Sequence, residues 1–388
     1  MRRPRYILLA LLTLLSAGCA TVNQPPKQPP PQPGAIFERA RPAPLDQAAL
    51  AQTLARARLV LVGESHRHPG HHAIQAMVLE LVAQGRDPRR VVLGVEWLDQ
   101  TKQPACDELS AGRIDVDEFA KKVDWERSWG YDLELYRPIL QMARDKGLRL
   151  AALGAPLEVI RQIGRQGLAS LGPSQRAAIA PALDLDDAAY RAQVAAQAPM
   201  HGQLSGGGLD DFFAAQVARD ETMAHNMAAR LTPWPDGDAV GVVMVGVGHM
   251  AHGLGLPPRL VRRLPGARMV RVMPVEPDAA DEISLLFQAD YADVLIVSTP
   301  APPRPPRLGV ILEPAPGGGL GVRAVLPGSA AEAAGLRAGD VLESVDGKRL
   351  RQAKDIHDAV KADPARKRVF DVRRGERLLR LEIGPRPL

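Results

Sequence analysis

Leu59-Val60-Leu61-Val62-Gly63-Glu64-Ser65-His66-Arg67-His68-Pro69-Gly70-His71-His72 decides the fold. A short apolar run, too brief for a buried helix, ends in a glycine, a carboxylate and an imidazole, and a helical pattern follows over His72–Gln84. That is the order of a buried strand, a strand-end loop and a crossover helix. The unit recurs. Strands are predicted at Leu59–Gly63, Val91–Glu96, Leu148–Leu153, Val240–Gly246, Met269–Met273 and Val294–Val297, and helices at His72–Gln84, Leu133–Lys146 and Asp210–Leu231. Parallel strands need crossover connections, so the alternation predicts an α/β fold with a mostly parallel sheet and helices on both faces. The Ala-rich stretch Pro156–Gly208 reads as an inserted helical subdomain.

The 388 residues are 46% hydrophobic and 24% charged, which excludes collagen-like and wholly disordered chains and allows two or three domains. Aromatic residues make up only 4%, and the formal charge of +5 falls to +2 once Arg2, Arg3 and Arg5 leave with a cleaved leader. With no basic block either, nucleic acid is excluded as a partner. Those three arginines precede the apolar run Tyr6–Leu15, too short to span a bilayer, and then Leu15-Ser16-Ala17-Gly18-Cys19. Small residues before a cysteine resemble a lipobox, so residues 1–18 are read as a lipoprotein signal and Cys19 as the lipidated residue. Ala20 follows without an aspartate, which favours an outer-membrane anchor facing the periplasm. Lipidation leaves only Cys106, so no intrachain disulfide is expected. Residues 19–44 read as a Pro-rich linker, 45–297 as the α/β domain, 298–306 as a second Pro-rich hinge and 307–388 as a small β-rich domain.

In open α/β sheets ligands bind beyond the carboxyl ends of the strands. Those ends here carry Glu64 and His66, then Glu96, then His249, and most of the nine histidines fall in two of the strand-end loops. Imidazole with carboxylate is a ligand set for a divalent metal and also makes a water-activating base. Glu64 and Glu96 are read as ending strands that could be neighbours, where one carboxylate would raise the other's pKa. For His68, His71 and His252 taken singly, a solvated helix start is the simpler reading. For Glu64, His66, Glu96 and His249 together, a catalytic or metal site is. A dinucleotide fingerprint at Gly246-x-Gly248-x-x-Ala251 is set aside because Gly253, Gly255 and Pro257 break the helix that must follow. Ser65 is a poor nucleophile, since Arg67 stands where the last glycine of a nucleophile elbow belongs.

Several ordered blocks then carry a specific resemblance. Gly63-Glu64-Ser65-His66, His71-His72 with Gln75, Gly94-Val95-Glu96, Trp125 to Tyr131, Tyr136 to Leu140, Ala215 to Ala224 and Gly246-Val247-Gly248-His249 resemble the ChaN family of haem-binding-uptake lipoproteins, in the Tiki-like superfamily. The resemblance spans about Leu45 to Val297. It implies a periplasm-facing lipoprotein that binds haem or iron, in a fold shared with metal-dependent proteases and erythromycin-esterase-like hydrolases. A flat macrocycle needs stacking walls and an axial ligand. Trp129, Tyr131, Tyr136 and His72 are the candidates for these roles.

Beyond the hinge, Pro327-Gly328-Ser329, Ala334-Gly335-Leu336, Gly339-Asp340-Val341 and Asp346-Gly347 resemble a bacterial PDZ domain. Leu308, Gly309, Val310 and Ile311 are its candidate peptide-carboxylate loop, with the helix Ala353–Lys361 beside the groove and C-terminal peptides as expected partners. Three readings follow: a haem- or iron-binding lipoprotein, a metal- or Glu/His-dependent hydrolase, and an adaptor whose enzyme-like domain is inert.

Overall fold

A computed structural model describes residues 31–197, 208–234, 238–278, 283–301, 308–363 and 366–384. The leader, Cys19 and residues 302–307 of the hinge lie outside them. The first unit is built on eight strands: β1 (Ile36–Glu38), β2 (Arg41–Leu45), β3 (Leu59–Glu64), β4 (Val91–Asp99), β5 (Arg149–Gly154), β6 (Val240–Gly246), β7 (Met269–Val275) and β8 (Val294–Val297). Their order is β2-β1-β8-β7-β3-β6-β4-β5. The six strands from β3 to β8 pair in parallel. Each was anticipated from its Val- and Leu-rich run.

The first two strands correct the linker boundary. Residues 36–44 were read as spacer, yet β1 pairs antiparallel with β8, Ile36 lying opposite Ile296 and 2% exposed. The prolines misled for a physical reason. Proline removes a ladder donor, which an interior strand cannot tolerate but an edge strand can, and β2, with the sequence Arg-Pro-Ala-Pro-Leu, is the sheet edge.

Helices cover both faces. Val60, Val62, Leu93 and Val95 pack beneath the helices Pro69–Ala83 and Leu133–Lys146, and Leu61, Val243 and Val245 beneath Gly208–Leu231 and Leu256–Arg263. The ends of Leu133–Lys146 are set locally. Asp132 accepts from the Glu134 amide, and Gly147 takes φ of 66°, where a side chain would be strained. The inserted segment forms the helices Leu157–Gln166, Pro173–Ala177 and Ala188–Gln197. Val159, Ile160 and Ile163 of the first bury against Ala214, Ala215 and Ala218.

The second unit is antiparallel, in the order β14 (Arg377–Ile383), β13 (Arg368–Arg374), β11 (Val341–Val345), β10 (Leu320–Val325) and β9 (Val310–Pro314), with β12 (Lys348–Arg349) on β11. It encloses its own core of Leu320, Val322, Leu342, Phe370 and Val372. No helix among the described residues is long and apolar enough to cross a membrane.

Candidate functional site

Register fixes where the strand-end residues sit. Glu64 of β3 lies opposite Gly246 of β6, and Val95 of β4 opposite Met244 of β6. The expectation that β3 and β4 are neighbours is therefore corrected, because β6 runs between them. The strand alternation also sends the two carboxylates to opposite faces. Glu64 meets Tyr136 on the face of the helix Leu133–Lys146, while Glu96 meets Arg219 of the helix Gly208–Leu231. What joins them is a missing side chain. A Cβ on Gly246 would lie 3.0 Å from His66 Cε1, 3.5 Å from His66 Nε2 and 3.3 Å from Glu96 Oε2. Glycine thus lets the His66 ring and the Glu96 carboxylate share the rim of the sheet. Gly246→Ala is expected to cost about 1–3 kcal/mol by overpacking this point, measured by urea unfolding. A cost near zero would show that the two side chains are not held there.

The first arm orients His66. Its Nδ1 lies 2.7 Å from Glu64 Oε1, and the Glu64 carboxylate is fully enclosed. A carboxylate accepting the Nδ1 proton leaves the Nε2 lone pair free, the arrangement that positions a ligating histidine. Trp129 and Tyr131 brace the half-buried ring at centroid distances of 4.8 and 5.0 Å. The exposed Arg67 guanidinium lies over the Tyr131 ring.

Two of the four expected macrocycle contacts are corrected. Tyr136 is buried in the core, its hydroxyl 3.3 Å from Glu64 Oε1 and 3.2 Å from the His66 carbonyl oxygen. Burial first, and the Glu64 charge second, push its phenol far above the ordinary range, so it stays a protonated donor. His72 is also enclosed, with Nε2 3.2 Å from the His66 carbonyl and Nδ1 3.1 Å from both Gln75 Oε1 and Glu64 Oε2. Both residues hold the loop from beneath. Trp129 and Tyr131 remain at the rim, half-buried.

The second arm is a chain of buried charges. His249 Nδ1 lies 2.6 Å from Asp220 Oδ1, Tyr190 donates to Asp220 Oδ2 at 2.5 Å, and His249 Nε2 lies 3.4 Å from Glu96 Oε1. Glu96 accepts from Arg219 at 2.7 Å and from the Gly246 amide at 2.6 Å. Burial opposes ionisation of both partners, but the charges outweigh it. Asp220 and Glu96 raise His249 to about 9, while His249 and Arg219 hold Glu96 well below the carboxylate range. The expectation that Glu96 titrates upward beside Glu64 is thereby reversed. Glu96 is a fixed anion, and His249 a cation clamped between two carboxylates.

Sequence reading did not single out Asp220, Arg219 or Tyr190. The signal was present. Arg219-Asp220-Glu221 interrupts an otherwise apolar helical stretch, and Asp220 and Glu221 are both wholly buried.

His68, His71 and His72 do not face solvent; all three are buried. His68 caps the helix Pro69–Ala83 through its Nδ1, which accepts from the Gly70 amide at 3.1 Å. His68 Nε2 lies 2.6 Å from Glu276.

In the second unit Val310 and Ile311 begin β9, an edge strand unpaired on its outer side among the described residues. Gly309 takes φ of 74°, and a Cβ there would lie 2.2 Å from that of Ser329. The loop Leu308–Ile311 is pinned by two backbone bonds, Ala331 N–H to Leu308 and Leu326 N–H to Gly309.

Against this geometry, a family model described as haem-binding uptake, Tiki superfamily, ChaN matches residues 50–260, and a PDZ domain model matches 321–374. The solved structure of ChaN of Campylobacter jejuni, which binds heme cofacially, has a TM-score of 0.53 at 14% identity. It covers 69% of this chain and 97% of its own. Protein RETICULATA-RELATED 5, chloroplastic, of Arabidopsis thaliana is 26% identical over 238 residues, 57% of this chain. The chain spans about a third (31%) of that relative's length. The HtrA3 PDZ domain bound to a phage-derived peptide is 24% identical and covers 21% of this chain and 85% of its own, with a TM-score of 0.20.

Proposed function

From the premise that this chain belongs to the ChaN family of haem-binding uptake proteins in the Tiki superfamily, we propose that its α/β domain binds haem for uptake or iron homeostasis. His66 Nε2 is the iron ligand, and Trp129 and Tyr131 lie against the macrocycle. The observation that carries this is the Glu64–His66 pair, in which an enclosed carboxylate 2.7 Å from Nδ1 leaves Nε2 free at a half-exposed ring between two aromatic side chains. The donor set fits the group. A neutral imidazole with its outer nitrogen free ligates haem iron, and a hydrogen bond from Nδ1 to a carboxylate raises its basicity. Bound haem would supply the redox-active iron; the chain supplies the ligand and its orientation. Titrating the intact protein with hemin is expected to give a saturable Soret change of fixed stoichiometry. A change that rises without saturating would reject the reading.

The PDZ domain captures C-terminal peptides by adding a strand to the β9 edge, with the amides near Gly309 receiving the carboxylate. The chain is held by a lipid on Cys19 at the outer membrane, facing the periplasm. Cys19→Ala is then expected to move the protein from the membrane pellet to the soluble fraction, since one lipidated cysteine is the proposed anchor. Continued sedimentation with membranes would refute it.

A second reading, a metal- or Glu/His-dependent hydrolase, is supported by the meeting of His66 and Glu96 at Gly246. It requires ester or peptide turnover that is lost in Glu96→Gln. Unchanged turnover in that variant, or none in the native protein, removes it.

A further inference from the structure

A cavity of about 230 Å³ lies between the ends of β3 and β7 and the helix Ile283–Gln288. On the same measure one water needs only about 10–15 Å³, so the space admits a small organic group. Topology accounts for its position. β3 and β7 are parallel neighbours, but the helix after β3, Pro69–Ala83, packs on the sheet face of Val60 and Val62, whereas the helix after β7, Ile283–Gln288, packs on the face of Leu61 and Met273. Crossovers that depart to opposite faces open a crevice between the strand ends, the place where open α/β sheets bind ligands. A Cβ on Gly63 would lie 2.5 Å from Met273 Sδ, so the glycine lets Met273 lie directly against β3.

The lining has one chemical sense. Met273, Val275 and Leu286 give it apolar walls, and the polar side chains open to it offer acceptors: the Glu276 carboxylate and the hydroxyls of Ser65 and Tyr291. Ser65 is exposed, Tyr291 half-buried and the Glu276 side chain 36% exposed. Neither hydroxyl has a hydrogen-bond partner among the described residues, and neither is one of the enclosed polar atoms. Glu276 has no cation opposite it. Its Oε1 lies 2.6 Å from His68 Nε2, and its Oε2 accepts from the Ala301 amide. The Gly70 amide donates to His68 Nδ1, so that ring meets Glu276 with a neutral N–H and brings no charge. Among the described residues no Lys or Arg side chain lines the cavity or lies within ion-pair distance of Glu276. Each carboxylate oxygen has a second lone pair, so Glu276 can still accept.

A metal ion is the obvious alternative, because His68, His71 and Glu276 bring ligand-type atoms within 4.8 Å of one another. The backbone argues against it. Both imidazoles accept an amide N–H at Nδ1, His68 from Gly70 and His71 from Ser65, so both Nε2 atoms are protonated and offer no lone pair. The two rings also stack in parallel, 9° apart with centroids at 3.8 Å, so their nitrogens do not converge on one point. An anion would meet the Glu276 carboxylate with no basic side chain to hold it. A group that carries positive charge and only donates, on an apolar stem, matches the whole lining. A primary ammonium is such a group, with three N–H donors.

We propose that this cavity binds a small free alkylammonium, its charge on the Glu276 carboxylate, the Ser65 and Tyr291 hydroxyls as its further acceptors, and its alkyl chain against Met273, Val275 and Leu286. These side chains are distinct from His66, Trp129 and Tyr131, the proposed haem contacts.

The test uses the full chain with ¹³C-methyl methionine, titrated near neutral pH with butylamine and with its neutral and acidic counterparts, 1-butanol and butyrate. Butylamine is expected to shift the Met273 methyl resonance saturably, the signal being identified by its absence in Met273→Leu, and to bind roughly tenfold or more tighter than either counterpart. Glu276→Gln, which keeps the shape and an acceptor for His68, should lose that preference while leaving the weak 1-butanol binding in place. Leu286→Trp, which fills the cavity from its apolar wall, should abolish the shift with every probe. Nα-acetyl-lysine N-methylamide carries the same ammonium on a peptide backbone; binding weaker than that of butylamine supports a free amine, and tighter binding would reassign the cavity to a lysine side chain of a protein. The proposal is overturned if butylamine gives no saturable shift, if 1-butanol or butyrate binds as well, or if Glu276→Gln binds butylamine like the native chain. Stoichiometric Zn²⁺ binding that disappears in His71→Phe would also overturn it, in favour of a metal. Hemin titration of the same samples reports on the haem reading independently.

Discussion

Asp220→Ala is expected to lower the unfolding free energy by about 3–5 kcal/mol, the usual cost of removing one partner from a buried charge pair. Asp220 is wholly buried and accepts from both His249 and Tyr190. Without it, among the described residues, the Tyr190 hydroxyl has no acceptor and the His249 cation keeps only Glu96, at 3.4 Å. Asp220→Asn keeps the shape and one acceptor oxygen, so it should cost less. The pH dependence carries a second signature. Because His249 is raised to about 9, its contribution is complete below the unfolded value of 6.5 and fades as pH rises through 9. Urea unfolding should therefore show the largest gap between native protein and Asp220→Ala near pH 6, and a smaller one near pH 9.5. A gap under about 1 kcal/mol at pH 6 would mean that the charge chain does not stabilise the fold.

Much of this architecture could be read before any coordinates. Leu59–Val62 and Val240–Val245 are apolar on every residue, the mark of strands buried on both faces, and Leu133–Lys146 is bracketed by Asp132 and Gly147. The β1–β2 hairpin was not legible, because Pro42 and Pro44 carry the composition of the preceding linker, and it is pairing with β8 that joins residues 36–38 to the main sheet. The gathering of Glu64, His66, Glu96 and His249 at one sheet edge followed from strand polarity. Their relation to one another did not, since it depends on β6 entering between β3 and β4 from more than 140 residues away in sequence. Asp220 and Arg219 reach the site only through the packing of the helix Gly208–Leu231, which local sequence does not encode. The aromatic cluster shows a further limit. Trp129, Tyr131 and Tyr136 look alike in sequence, but one turn of helix separates rim from core.

The proposed haem site rests on His66 Nε2, and one comparison tests it. His66→Ala is expected to weaken hemin binding by about 100-fold, the loss of a single axial ligand with its carboxylate support. The fold should survive, because the ring is half-exposed and Glu64 keeps Tyr136 and His72 beside it. Tyr136→Phe removes a hydroxyl that is enclosed beneath the loop, so it should leave the Soret position where it is in the native protein. Hemin titrations of the native chain, His66→Ala and Tyr136→Phe, each checked for an intact fold by circular dichroism, are the direct measurement. The account predicts loss of the saturable Soret change in His66→Ala alone. Native-like hemin affinity in His66→Ala, or its loss in Tyr136→Phe, would contradict it.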